Sequence, residues 1–404
     1  MSFCSDQIWV AIPAMDERDW LPATIASLAE QTVQDFNVIV CVNQPDVWWR
    51  DPLKKGICER NMETLGALQA DIDRVPFRLH IIDHCSPGKG WPEGRGGAGM
   101  ARRTAMDEAF RTGGEHSVIV STDADTVFDP GYLDDIVVRM NSRPDALAIA
   151  SPYYHHLTGQ EPVDRAVIRY ELYMRSYLLN LLRIKSPYAF TAIGSAMALT
   201  GKGYRKTGGV PLLQGGEDFY LLQKVAKAGN ILNWIPSRVY PAARASARVA
   251  FGTGPAIEAG INGDWSAYPV IHPRHLEPLA RWYEMIPDLF FQDRPTPIDS
   301  YLLEQFGYTG IWQSIRQNCA SLHTFKKAVH QKIDGLRTWQ MLRKSMADES
   351  DDAAILANVE LFLPDSACLI KNGFEASPLS DLATLRDRMF GLEMQMRKES
   401  DEKI

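Results

Sequence analysis

Short apolar runs alternate with amphipathic segments in the first part of the chain. The runs are rich in β-branched residues, which is typical of strands buried on both faces of a sheet. We predict strands at 8–12, 37–42, 77–82, 117–121 and 146–150. Apolar residues at helical spacing predict helices between them, at 19–31, 53–72 and 99–110. These repeated strand–helix units predict an α/β fold with a mostly parallel sheet flanked by helices.

The later part of the chain is dominated by helical spacing. A helix is predicted at 164–183, a strand at 191–199, and a loop followed by a helix at 215–229. From residue 276 onward the pattern is helical, and prolines interrupt it. The helices of this region are predicted at 276–291, 300–306, 311–346, 353–362 and 380–398. We therefore expect two domains, an α/β domain over 1–275 and a helical C-terminal region over 276–404.

Composition and charge narrow the possible functions. The 404 residues are 45% hydrophobic and 23% charged, as in an ordinary globular protein, and the net charge is -7. The basic residues are scattered, so we expect no nucleic-acid binding, which needs a positive patch. We find no run of about 20 apolar residues and no signal peptide, and we expect a cytoplasmic protein without a transmembrane segment. Self-association into a homo-oligomer stays open.

Two aspartates follow the strand predicted at 117–121. One small residue separates Asp123 from Asp125, so both carboxylates can face a single ion. Hard oxygen ligands suit Mg²⁺ or Mn²⁺, and such an ion absorbs the charge that develops on a diphosphate leaving group. The alternative is a polar loop in which one aspartate caps the next helix. Ligands of parallel sheets bind beyond the carboxyl ends of strands, which favours the metal site.

A second acidic motif, Gly215-Gly216-Glu217-Asp218, opens the helix predicted after the loop. A carboxylate here can act as the general base that takes a proton from an attacking hydroxyl group. The two glycines allow a close approach of backbone and substrate. The alternative is that these carboxylates only stabilise the first turn of the helix through its dipole.

A glycine-rich loop precedes the helix predicted at 99–110. Helix N-termini bind anions, and Lys89 and Arg95 can contact a phosphate group. The alternative is that the glycines provide flexibility alone. Arg102 and Arg103 are adjacent on the predicted helix and project in different directions, so we expect at most one of them to serve the site.

Taken in order, these motifs resemble those of the family 2 glycosyltransferases, which have the GT-A fold. The matching segments are VAIPAMDE at 10–17, GRGGAGMARR at 94–103, AMDEA at 105–109, STDADT at 121–126, IGSAMA at 193–198 and GEDFYL at 216–221. The resemblance covers residues 8–250. It implies an enzyme that uses a nucleotide-sugar donor, such as a UDP- or GDP-sugar, and a bound Mg²⁺ or Mn²⁺ ion.

The resemblance also implies roles for individual residues. Pro13 and Glu17 would line the nucleotide pocket, and Asn43 stands where the family often has an aspartate that reads the base. Asp123 would lie near the ribose or the donor sugar, and Asp125 would hold the metal ion. Asp218 would be the base, with Glu217 as its rival.

Two later regions add candidates. Arg244 and Arg248 can reach the diphosphate, or they can form surface ion pairs. Some similar enzymes that retain the anomeric configuration take a third metal ligand from a histidine, and His272 is the candidate here. The alternative is an ordinary hydrogen-bonded histidine.

The leading hypothesis is sugar transfer to an unknown acceptor hydroxyl with inversion of configuration. A retaining transferase on the same fold is the second hypothesis, and a sugar-phosphate nucleotidyltransferase is the third. A donor-binding protein without turnover is the fourth. The nucleotidyltransferase needs a triphosphate cradle, whereas the glycine loop here comes later than the first strand–helix turn.

Overall fold

The computed structural model describes residues 3–213, 215–246, 252–346 and 350–403. The chain forms two units. The first consists of 1–163, 190–262 and 400–404, and the second consists of 164–189 and 263–399. The expected division after residue 275 differs from this one, because the helix predicted at 164–183 groups with the C-terminal helices. Helical periodicity shows that a helix has a buried face, but it does not show which core that face joins.

The first unit contains all of the described strands. They are β1 (Ile8–Ala14), β2 (Asn37–Asn43), β3 (Arg78–His84), β4 (Val118–Ser121), β5 (Thr126–Phe128), β6 (Ala146–Ala150), β7 (Met197–Thr200), β8 (Asn230–Leu232) and β9 (Val239–Pro241). One sheet has the order β3-β2-β1-β4-β7-β6-β8, and β5 pairs with β9 in a small antiparallel sheet. Only the pairs of β7 with β4 and β6 are antiparallel in the larger sheet.

The helices complete both units. They are α1 (Leu21–Ala29), α2 (Lys55–Asp71), α3 (Ala98–Gly113), α4 (Tyr132–Ser142), α5 (Glu161–Arg183), α6 (Gly201–Thr207), α7 (Glu217–Ala228), α8 (Thr253–Ile261), α9 (Glu277–Leu289), α10 (Asp299–Phe306), α11 (Ile311–Gln317), α12 (Leu322–Lys332), α13 (Gly335–Ser345), α14 (Asp351–Phe362) and α15 (Leu379–Glu402). From Asp164 onward α5 belongs to the second unit, together with α9 to α14 and most of α15.

Helices of the first unit pack against its larger sheet. α2 packs on β2 and β3, α3 packs on β1 and β2, and α6 and α7 both pack on β6. β1 and β2 are buried along their whole length, as their continuous apolar sequences predict. The predicted α/β class, with a mostly parallel sheet flanked by helices, is confirmed. Because β1 to β4 are parallel, their carboxyl ends lie along one edge of the sheet, where the candidate residues follow them.

The second unit has a helical core centred on aromatic side chains. Trp282, Trp312 and Phe325 are fully buried there and pack with aliphatic side chains of α5 and α9 to α13. In the part of the chain that the structure describes, no helix is both long and apolar enough to cross a membrane.

Two predicted elements differ from the structure. The helix predicted at 311–346 is three helices, because Ser321 and Asp334 each accept a hydrogen bond from a backbone N–H group and cap a new helix. Such caps compete with a continuous helix, and the apolar spacing alone did not reveal them. The strand predicted at 191–199 begins only at Met197, and the residues before it are irregular.

Candidate active site

The two aspartates of the first acidic motif lie in the turn between β4 and β5. Neither caps a helix, because a strand follows the motif directly. Thr24 Oγ1 donates to the carbonyl oxygen of Ala124 at 2.9 Å, which fixes the turn between the two carboxylates. The side chain of Asp123 is 38% exposed and that of Asp125 is 19% exposed, so both can meet a ligand.

Arg244 joins two of the predicted site residues. Its Nε donates to Asp125 Oδ2 at 2.8 Å, and its Nη2 donates to both carboxylate oxygens of Glu17 at 2.7 Å. The guanidinium group also lies 4.8 Å from the ring centroid of Trp20. Burial acts to lower the pKa of Arg244, but the charges of Asp125 and Glu17 outweigh it and raise that pKa. Arg244 therefore does form ion pairs, as the alternative prediction had it, but they are partly buried and lie at the candidate site.

Arg102 joins the two acidic motifs. It lies in the first turns of α3 with its side chain only 4% exposed. Its Nη2 donates to Asp123 Oδ1 at 2.7 Å, and its Nε donates to Glu217 Oε1 at 3.1 Å. Arg103 instead donates to the Asp107 carboxylate on its own helix and to a backbone carbonyl. Of the two adjacent arginines, the structure therefore brings Arg102 to the site.

The second acidic motif opens α7. Gly216 precedes the helix with φ of 73°, a left-handed conformation that a glycine adopts without strain. Glu217 is buried, whereas Asp218 is partly accessible. Desolvation of its partly buried carboxyl group, and after it the charge of Glu217, raises the pKa of Asp218 to about 7, although Arg102 acts to lower it. A carboxylate with a pKa near neutrality matches the requirement for a general base.

The glycine loop leads directly into α3. Gly97 precedes the helix with φ of 94°, and a Cβ atom at Gly99 would lie 2.4 Å from the carbonyl oxygen of Leu213. Glycine at position 99 therefore lets α3 approach the segment before α7. Arg95 is exposed in this loop, and its role at a phosphate group stays a prediction.

Lys89 forms an ion pair at the carboxyl end of β3. Its Nζ donates to Asp83 Oδ2 at 2.9 Å, and Ser86 donates to the same carboxylate through its backbone and side chain. Burial acts to raise the pKa of Asp83, but these hydrogen bonds outweigh it and hold that pKa below its usual range. Sequence reasoning missed Asp83, although its place at the end of a predicted strand was the available signal.

Asn43 is engaged within the protein. Its Nδ2 donates to the carbonyl oxygens of Ala14 and Cys41 at 3.0 and 3.3 Å, and its Oδ1 accepts from Trp91 Nε1 at 3.3 Å. The side chain is therefore buried at the end of β2, and Pro13 is buried beside it in β1. In this arrangement the Asn43 amide orders the ends of β1 and β2, and its reading of a nucleobase stays a prediction.

Two candidates remain, Arg248 and His272. Arg248 lies outside the described residues. His272 belongs to the second unit, where its Nδ1 accepts a hydrogen bond from the backbone N–H of Arg274 at 3.2 Å and caps a short 3₁₀ helix. Among the described residues, no group of three or more His, Cys, Asp and Glu side chains is arranged to hold a metal ion. The structure therefore gives His272 a capping role, and its metal ligation stays a prediction.

The turn between β4 and β5, here called the acidic turn, has oxygen ligands that fit Mg²⁺ or Mn²⁺ when the ion is shared with a substrate. Asp123 and Asp125 provide hard carboxylate oxygens at an accessible position. Mg²⁺ is commonly held by one or two carboxylates together with substrate phosphates and water, so a cage of protein ligands is not required. Arg102 and Arg244 each bind one oxygen of these carboxylates, which leaves the turn with two negative and two positive groups.

Comparison with known proteins finds similarity in structure only. No protein-family model matches the chain, and no curated protein matches it. Among solved structures, the fold resembles TarS residues 1–349 from S. aureus in complex with UDP-GlcNAc, at 13% identity and a TM-score of 0.41 over 94% of this chain and 90% of that one. It also resembles the mannosyltransferase PcManGT from Pyrobaculum calidifontis in complex with GDP-Man and Mn²⁺, at 14% identity and a TM-score of 0.35 over 98% and 86%.

A third structure, GalNAc-T7 with UDP, GalNAc and Mn²⁺, matches at 14% identity and a TM-score of 0.36 over 81% of this chain and 57% of that one. Because all three TM-scores are below 0.5, we transfer no residue role or ligand from these proteins.

Proposed function

We propose that the chain is a glycosyltransferase that moves a sugar from a UDP- or GDP-sugar to an acceptor hydroxyl, with Mg²⁺ or Mn²⁺ as cofactor and with inversion of configuration. One observation carries this proposal. Arg102 links Asp123 of the strand-end turn to Glu217, the neighbour of a carboxyl group, Asp218, whose pKa is raised to about 7. A metal-binding turn and a general base are the two groups that this transfer needs.

The leaving diphosphate requires positive charge. Asp123 and Asp125 would hold the metal ion, which stabilises negative charge on phosphate oxygens when it is bound. Arg244 supplies a guanidinium group beside Asp125, and it can pair with a diphosphate oxygen because arginine matches phosphate geometry. Electrostatic stabilisation of this kind is commonly the largest contribution to such a reaction.

Asp218 is the better candidate for the base than Glu217. Glu217 is buried and bound to the Arg102 guanidinium, so its charge is already compensated. Asp218 takes the proton of the acceptor hydroxyl while that oxygen forms a bond to the anomeric carbon. The bond from this carbon to the diphosphate oxygen breaks, and the diphosphate leaves with the electron pair. Attack opposite to the leaving group inverts the configuration.

The nucleotidyltransferase alternative is disfavoured by the turn after β1. That turn carries Asp16 and Glu17 and has no glycine, whereas a triphosphate cradle is a glycine-rich loop whose backbone N–H groups face the phosphates. Release of pyrophosphate from a nucleoside triphosphate would reverse this judgement.

A ligand screen followed by one substitution tests the proposal. A donor that binds only the native state raises the unfolding temperature, so UDP- and GDP-sugars are screened with and without Mn²⁺. With the stabilising donor, Asp218→Asn should keep donor binding and lower transfer or donor hydrolysis at least about 100-fold. Asp73→Asn, on an exposed position after α2, is the matched control. Full activity of Asp218→Asn, or no stabilising sugar nucleotide at all, would refute the proposal.

A further inference from the structure

Arg102 uses nearly its whole hydrogen-bonding capacity inside the first unit. Besides Asp123 and Glu217, its Nη1 donates to Ser121 Oγ at 2.6 Å and to the carbonyl oxygen of Gly194 at 2.9 Å. Its partners thus come from the end of β4, from the acidic turn, from the segment before β7 and from the first residue of α7. They belong to three stretches that are far apart in sequence, around residues 121–123, 194 and 217, and one guanidinium group joins them.

The backbone around Arg102 is shaped to its side chain. A Cβ atom on Gly194 would lie 2.4 Å from Arg102 Nη2 and 2.8 Å from Cζ, which is closer than real contacts allow. Gly194 has no left-handed backbone conformation, so space and not strain requires glycine here. The absence of a side chain at position 194 lets the guanidinium group lie between the two acidic motifs.

We infer that Arg102 is a positioning residue. It binds Asp123 and Glu217 at once and thereby holds the first turn of α7, with Asp218, against the turn that contains Asp123. This inference rests on the proposed function. The geometry requires arginine, because its planar fork has five N–H donors that reach several acceptors together. The single ammonium group of lysine cannot span Asp123 and Glu217 in the same way.

The charges around Asp218 give this arrangement a measurable signature. Glu217 on its own helix and Asp123 after β4 raise the pKa of Asp218, while Arg102 on α3 lowers it. Displacing the guanidinium group should therefore raise the pKa of Asp218 further. A base with a higher pKa becomes active only at higher pH, so the acidic limb of the pH–rate profile should move upward.

The test displaces Arg102 without removing it. Gly194→Ala pushes a methyl group against the guanidinium group and leaves every charge in place. Gly66→Ala is the matched control, since Gly66 lies at an exposed position of α2 with nothing within 4 Å of an added Cβ atom. With the donor found by the screen, we expect Gly194→Ala to lower kcat by about 10- to 100-fold, with a change in donor KM of less than about 5-fold. Arg102→Lys should show the same division between kcat and KM.

A second readout needs no substrate and separates this inference from the proposed function. The folded-state pKa of Asp218 is raised above 3.8, so native stability falls as pH rises from about 4 to about 7 and is level above that. The gain in unfolding temperature from Asp218→Asn should therefore grow with pH and level off near pH 7. In the Gly194→Ala background, the levelling should move to higher pH.

The pH–rate profile and the pH dependence of the unfolding temperature together test the positioning role of Arg102. An upward shift of the pH at which the Asp218→Asn gain levels off, in Gly194→Ala but not in Gly66→Ala, supports the positioning role even if the protein transfers no sugar. An unmoved levelling point and an unmoved pH–rate limb in both Gly194→Ala and Arg102→Lys would overturn it. If Arg102→Lys does not fold, the comparison of the two glycine variants alone decides.

Discussion

Each unit of the protein contains a buried arginine that joins two carboxylates, but the two networks differ in their access to solvent. In the first unit, Arg102 joins Glu217 to Asp123, and the Asp123 side chain is 38% exposed. In the second unit, Arg175 binds Glu171 on its own helix, α5, and Glu393 on α15, and all three side chains are at most 1% exposed. The first network ends at the accessible side chain of Asp123, and we call it the open network. The second is buried throughout, and we call it the closed network.

The difference shows that a buried charge does not by itself identify a site. A buried ion pair costs desolvation energy and contributes specificity of packing only when its hydrogen bonds are satisfied. The Arg175 network joins two helices and offers nothing to a ligand. The Arg102 network lies at the carboxyl ends of parallel strands, beside a carboxyl group with a raised pKa, and these are properties of a functional site.

The largest effect is expected from removing Asp125, which we propose binds the metal ion two residues after Asp123 of the open network. Asp125→Ala should lower transfer at least about 1,000-fold, because the diphosphate loses its electrostatic stabilisation. Calorimetry should show that Mn²⁺ no longer strengthens UDP or GDP binding. Asp73→Ala is the control, since Asp73 is exposed and lies after α2. Turnover at the wild-type rate in Asp125→Ala would remove the functional distinction between the two networks.

Breaking the closed network should affect folding and leave ligand binding intact. Arg175→Met removes the cation that buried Glu171 and Glu393 share, although Arg397 still binds Glu393 and Arg386 lies 3.9 Å from Glu171, so we expect the free energy of unfolding to fall by about 3 kcal/mol. Arg281→Met, on the exposed side of α9, should change it by less than about 0.5 kcal/mol. Chemical denaturation measures both. If Arg175→Met instead weakened donor binding in protein that is still folded, the second network would also belong to a site.

There is a physical reason why the sequence predicted the residues around the open network better than those of the closed network. Asp123, Asp125 and Asp218 follow recognisable strand and loop patterns, and parallel strands bring their carboxyl ends together. The burial of Arg102 depends on Gly194, which is distant in sequence, so the adjacency of Arg102 and Arg103 predicted only that at most one of them would serve the site.

Contacts between distant segments also explain what the sequence did not predict. The grouping of α5 with the C-terminal helices depends on partners such as Glu393, more than 200 residues away. The inward orientation of the Asn43 amide depends on Trp91 in a loop after the next strand. Apolar periodicity contains neither kind of information, because it reports the buried face of one element at a time.

A moderate effect is expected from Arg244, which binds Asp125 beside the open network. Arg244→Ala should weaken binding of UDP or GDP in the presence of Mn²⁺ by about 10- to 30-fold, or about 1.4–2 kcal/mol, because the proposed contact to the diphosphate is lost. Mn²⁺ alone should bind no more weakly, since the substitution removes a competing cation from Asp125. Arg78→Ala is the control, because Arg78 is exposed at the amino end of β3. Weaker binding of Mn²⁺ alone would show that Arg244 orders the metal site rather than the diphosphate.

The smallest expected effect is a change of native stability with pH, which has opposite signs for His330 in the second unit and Asp218 in the first. Burial, with the charge of Lys326, lowers the pKa of His330 in the second unit to about 4. Its Nδ1 has no hydrogen-bond partner among the described residues, so a neutral ring is what the site favours. A histidine with a depressed folded-state pKa gives stability that is complete above its unfolded pKa of 6.5 and is lost as pH falls toward 4.

Substitution of His330 should remove this acid sensitivity. His330→Phe should gain about 1 kcal/mol, a few degrees in unfolding temperature, relative to wild type between pH 7 and pH 5.5, because phenylalanine has no proton to bind. The exposed His323 on the same helix, as His323→Phe, should give no such gain. Asp218 has the opposite sign, since its stability contribution falls as pH rises. A gain from His330→Phe that grew toward alkaline pH would contradict the buried, neutral ring and with it the contrast between the units.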